Sequence, residues 1–258
     1  MRLEWSIEFA VYLIASNSSF ILLQMRLYII RHADPDYPNN TITPTGHIEA
    51  KALAKRMAKV GLSRIYTSPL GRAQDTACYT ADAIGIEPVI LPWTAELSID
   101  GVTGIDGAKW AAWNLEGQII RGQKEFPNHD NWHEQPELSH YDYHQCYEQL
   151  KKDSDAFLDG LGYERHNGVY NVRESNEERI AVFCHAGFGV SWMAHLLELP
   201  LTLAWCGFFW APSSVTTILL ERRTNGIAVP RALCVGDTSH IYAEELTESS
   251  RGTTANFN

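Results

Sequence analysis

The sequence predicts a three-layer α/β/α sandwich with a mostly parallel central sheet. Two segments, 27–30 and 180–184, are unbroken apolar runs, which are typical of parallel strands buried on both faces. Segments with helix signals alternate with such runs along the chain. With 258 residues the chain is long enough for one large α/β domain, and no linker-like composition divides it.

The first strand-to-helix unit has the clearest signals. A strand over 26–33 ends in a cation and an imidazole, and a loop rich in turn formers, 34–40, follows it. Thr43 then predicts a helix N-cap, with proline at the first helical position, where its missing N–H costs nothing. We expect this helix to run to about residue 60 and to end at Gly61.

A second unit repeats this order. A strand over 64–67 precedes Ser68 and a proline, which predict another capped helix start, and this helix is expected to continue to about Ala83. Arg72 then falls in the first helical turn, just past the carboxyl end of a strand. A short strand over 89–91 follows.

A long segment, 98–179, interrupts the alternation. It carries aromatic and charged patches and a predicted helix over 143–161, so we expect a lid-like insertion within one domain. The chain then returns to the sheet with a strand that is followed by His185. One more helix and two more strands are predicted after it, over 188–197, 215–220 and 231–235.

The two ends of the chain lie outside the predicted domain, which spans 25–245. The apolar stretch within residues 1–24 is broken and too short to span a membrane, and it lacks the basic start and cleavage site of a secretory signal. We interpret it as an N-terminal extension or a misplaced start, with Met25 beginning the functional domain; a weak signal-like segment is the alternative. The polar tail, 246–258, is expected to fray.

Charge and cysteine content limit the partners and the compartment. A net charge of -10 and a pI near 5.4 argue against nucleic acid or an anionic membrane as partner, because phosphate groups attract a basic face. The five cysteines are scattered, which is typical of reduced thiols, so a cytoplasmic location is expected. Cys184 precedes a histidine, but a plain strand residue is preferred to a nucleophile. The oligomeric state is not predicted.

Four basic side chains are predicted at one edge of the sheet. Arg31 and His32 end one strand, and His185 follows another. Arg72 opens the helix after a third strand, and ligands of open α/β sheets bind at this edge. Two guanidiniums and an N–H of His185 suit phosphate oxygens, while a neutral His32 can attack phosphorus. This pattern predicts phosphoryl transfer from a small-molecule phosphomonoester without a metal or other cofactor.

Several segments resemble one known family. They are 27–33, 42–50, 65–77, Glu96 and 182–187. In this order they are similar to the histidine phosphatase superfamily, in its phosphoglycerate mutase-like branch, over most of residues 26–240. The resemblance implies the phosphoglycerate mutase-like sandwich fold and a histidine acid-type phosphatase, a phosphoric monoester hydrolase.

The resemblance also implies a role for each basic residue. It makes His32 the nucleophile that becomes phosphorylated. It makes Arg31, Arg72 and His185 the groups that bind the phosphoryl oxygens, and it counts His185 among the catalytic residues.

One carboxyl group serves both steps of the reaction that the resemblance implies. Glu96 is the general acid that protonates the leaving oxygen, and it then takes a proton from the attacking water. Glu87 and Glu116 lie nearby in sequence and are the alternatives for this role.

Two departures from the family pattern bear on the activity. Ala33 follows the nucleophile where the family usually has glycine, and we expect alanine to be tolerated unless the backbone there needs a glycine-only conformation. Segment 34–40 lacks the serine-bearing, asparagine-ending sequence of the family's true mutases. This favours hydrolysis over a phosphomutase, and the intact set of site residues argues against a non-catalytic phosphate-binding module.

Four histidines and a group of aromatic residues are left without a role. His129 with His133, and His140 with His144, have a spacing of four that also occurs in zinc sites. Pro136 interrupts the segment and no H-E-x-x-H motif is present, so a solvated or substrate-facing lid is preferred.

The aromatic residues are assigned to the core by default. If several of them line the site instead, the substrate has an apolar or ring-bearing part.

Overall fold

The three-dimensional structure is a computed structural model that describes residues 23–97, 101–105, 107–139 and 142–253. The described strands are β1 Arg26–Arg31, β2 Pro35–Asp36, β3 Thr41–Ile42, β4 Arg64–Thr67, β5 Val89–Ile90, β6 Val102–Thr103, β7 Lys109–Trp110, β8 Tyr163–His166, β9 Val169–Val172, β10 Arg179–Cys184, β11 Val215–Thr224 and β12 Ile227–Asp237. The described α-helices are α1 Pro44–Val60, α2 Gly71–Ile84, α3 Gly117–Arg121, α4 Tyr143–Asp159, α5 Ala186–Leu196, α6 Leu201–Gly207 and α7 Ser239–Ala243.

Eight of these strands form the central sheet, in the order β5-β4-β10-β1-β11-β12-β9-β8. The first four are mutually parallel, and each later neighbour is antiparallel to the one before it. Only β11 and β9 therefore run opposite to the other six strands of this sheet. The predicted α/β fold with a mostly parallel central sheet is confirmed.

Strand β1 contributes side chains to two apolar cores, one on each face of the sheet. Leu27 and Ile29 belong to a core that includes Trp192 of α5. Ile30 belongs to the other core, with Leu53 of α1. Because neighbouring side chains on a strand point to opposite faces, burial of both faces requires an unbroken apolar run. The three-layer arrangement therefore explains why the sequence of β1 is an unbroken apolar run.

The two predicted helix starts have different outcomes. Thr43 caps α1 as predicted, by accepting a hydrogen bond from a backbone N–H of the first turn at 3.1 Å, and Gly61 ends the helix with a φ of 72°. The second prediction is wrong, because α2 begins at Gly71 with Leu70 as its N-cap residue. Ser68 lies before this helix, is fully buried, and uses its hydroxyl elsewhere.

The later part of the predicted lid-like insertion, 98–179, belongs to the sandwich. Helix α4 packs against α5 and β8, and the β8-β9 hairpin joins the central sheet through β12. The described part of the insertion before α4 contributes no strand to the central sheet, and its buried residues, such as Val102 and Trp132, belong to the same core as Trp192. Strands β8 and β9 each bury a single residue, Tyr163 and Tyr170, so they have no strand-like apolar pattern to read.

The start of the domain at Met25 stays a prediction. Residues 1–22, most of the predicted N-terminal extension, lie outside the described residues. That the functional domain begins at Met25 is checked by whether a chain starting there folds and stays active. Within the described ranges, no helix has both the length and the apolar content needed to cross a membrane.

Candidate active site

The register of β1 and β10 brings the two predicted histidines together. Arg31 lies opposite Cys184 in this parallel pair, so His32 and His185 follow the strands side by side at the carboxyl edge. Their ring centroids are 5.2 Å apart. Strand β4 pairs with β10 on its other side, and Arg72 follows β4 in the first turn of α2. The structure thus brings together the basic residues that the sequence predicted.

His32 is a neutral imidazole with a defined tautomer. Its Nδ1 lies 2.8 Å from the carbonyl oxygen of Ala33, which can only accept, so Nδ1 carries the proton. Burial, followed by the charge of Arg31, lowers the pKa of His32 well below its ordinary value. The lone pair of Nε2 is therefore available to a reacting group. Ala33 does not have a positive φ, so alanine is tolerated where the family usually has glycine.

Ser68 holds the second histidine and is a site residue that the sequence did not reveal. Its Oγ lies 2.7 Å from His185 Nε2 and accepts a hydrogen bond from the Leu70 N–H at 3.2 Å. Donation of the hydroxyl hydrogen to Nε2 gives that hydrogen an acceptor and leaves the ring proton on Nδ1. This Nδ1 is buried and has no hydrogen-bond partner among the residues that the structure describes. Burial lowers the pKa of His185, so a neutral His185 offers an N–H donor beside His32.

The two arginines are buried cations that neutral oxygens hold in place. Arg31 donates to the backbone carbonyls of Trp210 and Arg251, the latter at 3.3 Å. Arg72 donates to the side-chain oxygen of Asn40 at 3.2 Å. Burial lowers the pKa of both guanidiniums, and the Nε atom of each has no hydrogen-bond partner among the described residues. Because the hydrogen bonds of both guanidiniums go to neutral oxygens, their positive charges favour the binding of a multiply charged anion such as phosphate.

Glu96 lies at the N-terminus of α5, beside His185. Its Oε1 accepts from the backbone N–H groups of Phe188 at 2.7 Å and Leu97 at 3.0 Å, and its Oε2 accepts from Gly187 at 3.2 Å. Burial raises the pKa of Glu96, although these three N–H groups act in the opposite direction. A carboxyl with a raised pKa is suited to proton transfer in mildly acidic solution.

The structure distinguishes Glu96 from Glu87 and Glu116, the two alternative candidates for the general acid. Glu87 is exposed and is not among the residues that line the site cavity, whereas Glu96 and Glu116 both line it. Glu96 is one of the main charges that raise the pKa values of Arg31 and Arg72, and Glu116 is not. Glu96 is therefore the carboxyl closer to the phosphate-binding groups.

The site opens into a cavity of about 680 Å³. The assignment of the aromatic residues to the core holds for Trp132 and Trp192, which are buried there. Trp205 and Trp210 belong to the same core and also border the cavity. The other aromatic residues that line the cavity are Tyr37, Trp110, Trp113, Phe208 and Phe209. Part of this lining comes from the segment before α4, so that segment does face the site.

The described part of the C-terminal tail, residues 246–253, packs against the site, whereas the sequence predicted that the tail would fray. The Ser249 hydroxyl donates to the Asp34 carboxylate at 2.7 Å, and the carbonyl of Arg251 accepts from both terminal nitrogens of Arg31 at 3.3 Å. Residues 252 and 253 line the cavity. The polar composition of the tail favoured fraying, but its polar groups bind residues that are distant in sequence.

A sequence model described as the histidine phosphatase superfamily (branch 1) matches residues 27–231 of this chain. The chain belongs to this superfamily. The matched range includes every residue that the sequence assigned to the site, namely Arg31, His32, Arg72, Glu96 and His185.

Curated relatives within the superfamily are similar over part of their length. A Hydrogenobacter thermophilus protein with the provisional name phosphoserine phosphatase 2 is 32% identical over 88 residues, which cover 31% of this chain and 43% of that protein. GpmB of Serratia proteamaculans, provisionally named a phosphoglycerate mutase, is 29% identical over 82 residues, which cover 28% of this chain and 38% of that protein. The chain therefore spans less than half the length of these two relatives.

Solved structures of histidine phosphatases share the fold. A phosphoserine phosphatase from Entamoeba histolytica, in complex with 3-phosphoglyceric acid, has a TM-score of 0.56 and 19% identity, covering 84% of this chain and 99% of that one. A mycobacterial glucosyl-3-phosphoglycerate phosphatase has a TM-score of 0.53 and 17% identity, covering 81% and 98%. At these identities the similarity shows the phosphoglycerate mutase-like fold alone.

Two other groups of residues considered from the sequence are not set up as reactive or metal sites among the described residues. Cys184 is fully buried in a core, and burial raises the pKa of its thiol, so it is not set up as a nucleophile. The rings of His133 and His144 lie 4.4 Å apart, while His140 lies outside the described residues. In the part of the chain that the structure describes, no three potential metal ligands come together.

Proposed function

We propose that this protein is a phosphomonoester hydrolase that acts without a metal, through a phosphohistidine formed on His32. The observation that carries the proposal is the protonation state of His32. Its Nδ1–H is bound to the Ala33 carbonyl and its pKa is lowered by burial, so Nε2 is an unprotonated nucleophile beside two guanidiniums.

In the first step, Nε2 of His32 attacks phosphorus. A P–N bond forms while the P–O bond to the leaving group breaks. Arg31, Arg72 and the Nδ1–H of His185 bind the phosphoryl oxygens and neutralise their charge. Protonated Glu96 gives its proton to the leaving oxygen, which departs as an alcohol.

In the second step, water attacks the phosphohistidine. Glu96, now a carboxylate, takes a proton from this water while the new P–O bond forms. The electron pair of the P–N bond returns to Nε2, phosphate leaves, and His32 is again neutral. The bond from Nδ1–H to the Ala33 carbonyl stabilises the positive charge that the ring carries in the intermediate.

Hydrolysis is preferred to mutase activity because of the loop that follows the nucleophile. A mutase must return the phosphoryl group to its substrate faster than water removes it. Loop 34–40 lacks the family's mutase segment, and it places Tyr37 edge-on to His32 with ring centroids 6.4 Å apart. A mixture of phosphorylated products with unchanged total organic phosphate would instead identify a phosphomutase.

The cavity supports a small-molecule phosphomonoester with an apolar part as substrate. Its aromatic lining extends well beyond the basic groups that bind a phosphate. A volume of about 680 Å³ lies within the range of roughly 300–1,000 Å³ that holds larger organic ligands. The cytoplasmic location and the exclusion of nucleic acid and membranes as partners stay predictions from composition.

The test is phosphate release from para-nitrophenyl phosphate at mildly acidic pH with chelator present. We expect activity that survives the chelator, and a loss of about 1,000-fold or more in His32→Ala. Quenching a reaction with labelled phosphomonoester should yield a protein-bound label that is acid-labile and base-stable. His47→Ala is the matched control, because His47 is bound to Tyr79 at 2.9 Å and is not among the cavity-lining residues.

Two results would overturn the proposal. One is a folded His32→Ala variant that retains activity or still takes up label. The other is activity that the chelator abolishes and that added zinc restores.

A further inference from the structure

The site cavity has opposite charges in different parts of its lining. Among the described residues that line the cavity, Arg31 and Arg72, the phosphate-binding groups of the proposed function, are the only arginines, and there is no lysine. The two carboxylates in this described lining are Glu96 and Glu116. Glu96 is occupied by three backbone N–H groups, as described above. Glu116 therefore provides the negative charge that the phosphate chemistry does not use.

Glu116 is incompletely paired among the described residues. Its Oε1 accepts from the backbone N–H of Ile105 at 3.1 Å, whereas its buried Oε2 has no hydrogen-bond partner within the described ranges. Within the described residues, Glu116 takes part in no salt bridge. A partly buried carboxylate without a cation is costly, so a positively charged group arriving in the cavity is favoured.

An indole lies directly beside this carboxylate. A Cβ atom on Gly104 would be 2.8 Å from Glu116 Oε2 and 2.7 Å from Trp110 Cδ1, so both side chains pack on the bare backbone of Gly104. Trp113 and Phe208 line the same cavity. Aromatic faces attract cations, and substituted ammonium groups in particular bind among such rings next to a carboxylate.

We propose that the substrate is a phosphomonoester whose alcohol carries a substituted ammonium group, with Glu116 as its counter-charge and Trp110 as part of its aromatic surround. This inference rests on the proposed phosphatase function. It follows that an alcohol bearing a carboxylate is disfavoured, because Glu116 repels it and no further lysine or arginine of the lining attracts it.

The test compares two substrates of the same shape. Choline phosphate carries a quaternary ammonium, and 3,3-dimethylbutyl phosphate replaces the nitrogen by carbon. We expect kcat/KM to favour choline phosphate, and Glu116→Gln to lower the ratio of the two values by about tenfold. Comparing ratios between proteins cancels the difference in intrinsic reactivity of the two esters. 3-Phosphoglycerate, the anionic comparison, should be the poorest of the three.

Two further variants make the result decisive. Trp110→Leu keeps the carboxylate and removes the adjacent ring, so it should lower the same ratio even if Glu116→Gln fails to fold. Glu87→Gln removes an exposed carboxylate outside the cavity lining and should leave the ratio as in the unmodified protein.

The inference is overturned if the unmodified protein does not prefer choline phosphate, or if the ratio is the same in all variants, while para-nitrophenyl phosphate is hydrolysed. Failure to hydrolyse para-nitrophenyl phosphate would instead count against the phosphatase function itself.

Discussion

Replacing Glu96 by glutamine separates its proposed role as a general acid from its role in holding the N-terminus of α5. Glutamine keeps the size of the side chain but has no proton to give to a leaving oxygen. Alkyl phosphates have poor leaving groups and need that proton, whereas para-nitrophenolate leaves readily without it. We therefore expect Glu96→Gln to impair hydrolysis of an alkyl phosphate much more than that of an aryl phosphate.

The size of each effect follows from the contacts of Glu96. General acid catalysis contributes about 100- to 10,000-fold, so kcat for an alkyl phosphate should fall by about 1,000-fold and for the aryl phosphate by about tenfold.

Glutamine has one acceptor oxygen and one donor group. If its oxygen keeps the bonds to Phe188 and Leu97, its NH₂ faces the Gly187 N–H now bound at 3.2 Å. Two donors in contact should cost about 1–3 kcal/mol of the free energy of unfolding.

The pH dependence adds an independent readout. Burial raises the pKa of Glu96, so the protonated form that the first step needs persists into mildly acidic solution. Activity on the alkyl phosphate should fall as the pH rises through this raised pKa, and that limb should disappear in Glu96→Gln. The assay is kcat against pH for both substrates, with urea unfolding to measure stability and Glu87→Gln as the control. Equal losses on both substrates would refute a general acid and leave Glu96 only a structural role.

Three further predictions follow from single contacts. Ser68→Ala removes the hydroxyl that sets the tautomer of His185, so kcat should fall by about 30-fold with little change in KM, measured by steady-state kinetics. Glu49 is 1% exposed, and burial raises its pKa to about 7. The folded protein therefore holds a proton that the unfolded chain releases near pH 4.5, so stability falls by about 3 kcal/mol as the pH rises from there to about 7, and Glu49→Gln should remove this fall in urea unfolding. Gly187→Ala would place a methyl 2.4 Å from Trp113 Cδ2, which should cost about 1–3 kcal/mol and change the tryptophan fluorescence.

Each of these predictions has its own contrary result. A KM effect without a kcat effect in Ser68→Ala would mean that the hydroxyl only shapes binding. An unchanged slope of stability with pH in Glu49→Gln would assign the slope to other groups. Gly160→Ala is the control for Gly187→Ala, because the nearest atom to its added methyl would be 3.5 Å away. Equal losses of stability in the two variants would mean that close packing against Trp113 does not cause the loss in Gly187→Ala.

Local patterns in the sequence were enough to predict the mostly parallel sheet and the basic side chains at its carboxyl edge. The unbroken apolar run before Arg31 predicts a strand that is buried on both faces of the sheet, as central parallel strands are. Parallel strands end at the same edge, so His32 and His185 were predicted to lie at that edge once both runs were recognised as strands. The pairing of β1 with β10, which the structure shows, makes them neighbours. The cap of α1 was equally local, because Thr43 bonds a residue three positions away.

Signals between residues that are close in sequence were misleading where a longer-range contact was stronger. Ser68 before a proline resembles a helix cap, but the pairing of β4 with β10 places its hydroxyl against His185. The β8-β9 hairpin was not predicted because it buries one tyrosine per strand. Its position comes from pairing with β12 and from its cover by α4.

The sequence by itself predicted which side chains carry the proposed reaction, since most of them lie at or just after the ends of recognisable strands. The tertiary structure decided what surrounds them: the tail carbonyl on Arg31, the indole of Trp110 beside Glu116, and the aromatic wall of the cavity. The physical reason is the separation along the chain. Arg31 and Arg251 are 220 positions apart, and no periodicity or cap encodes such a contact; only the folded sheet brings them together.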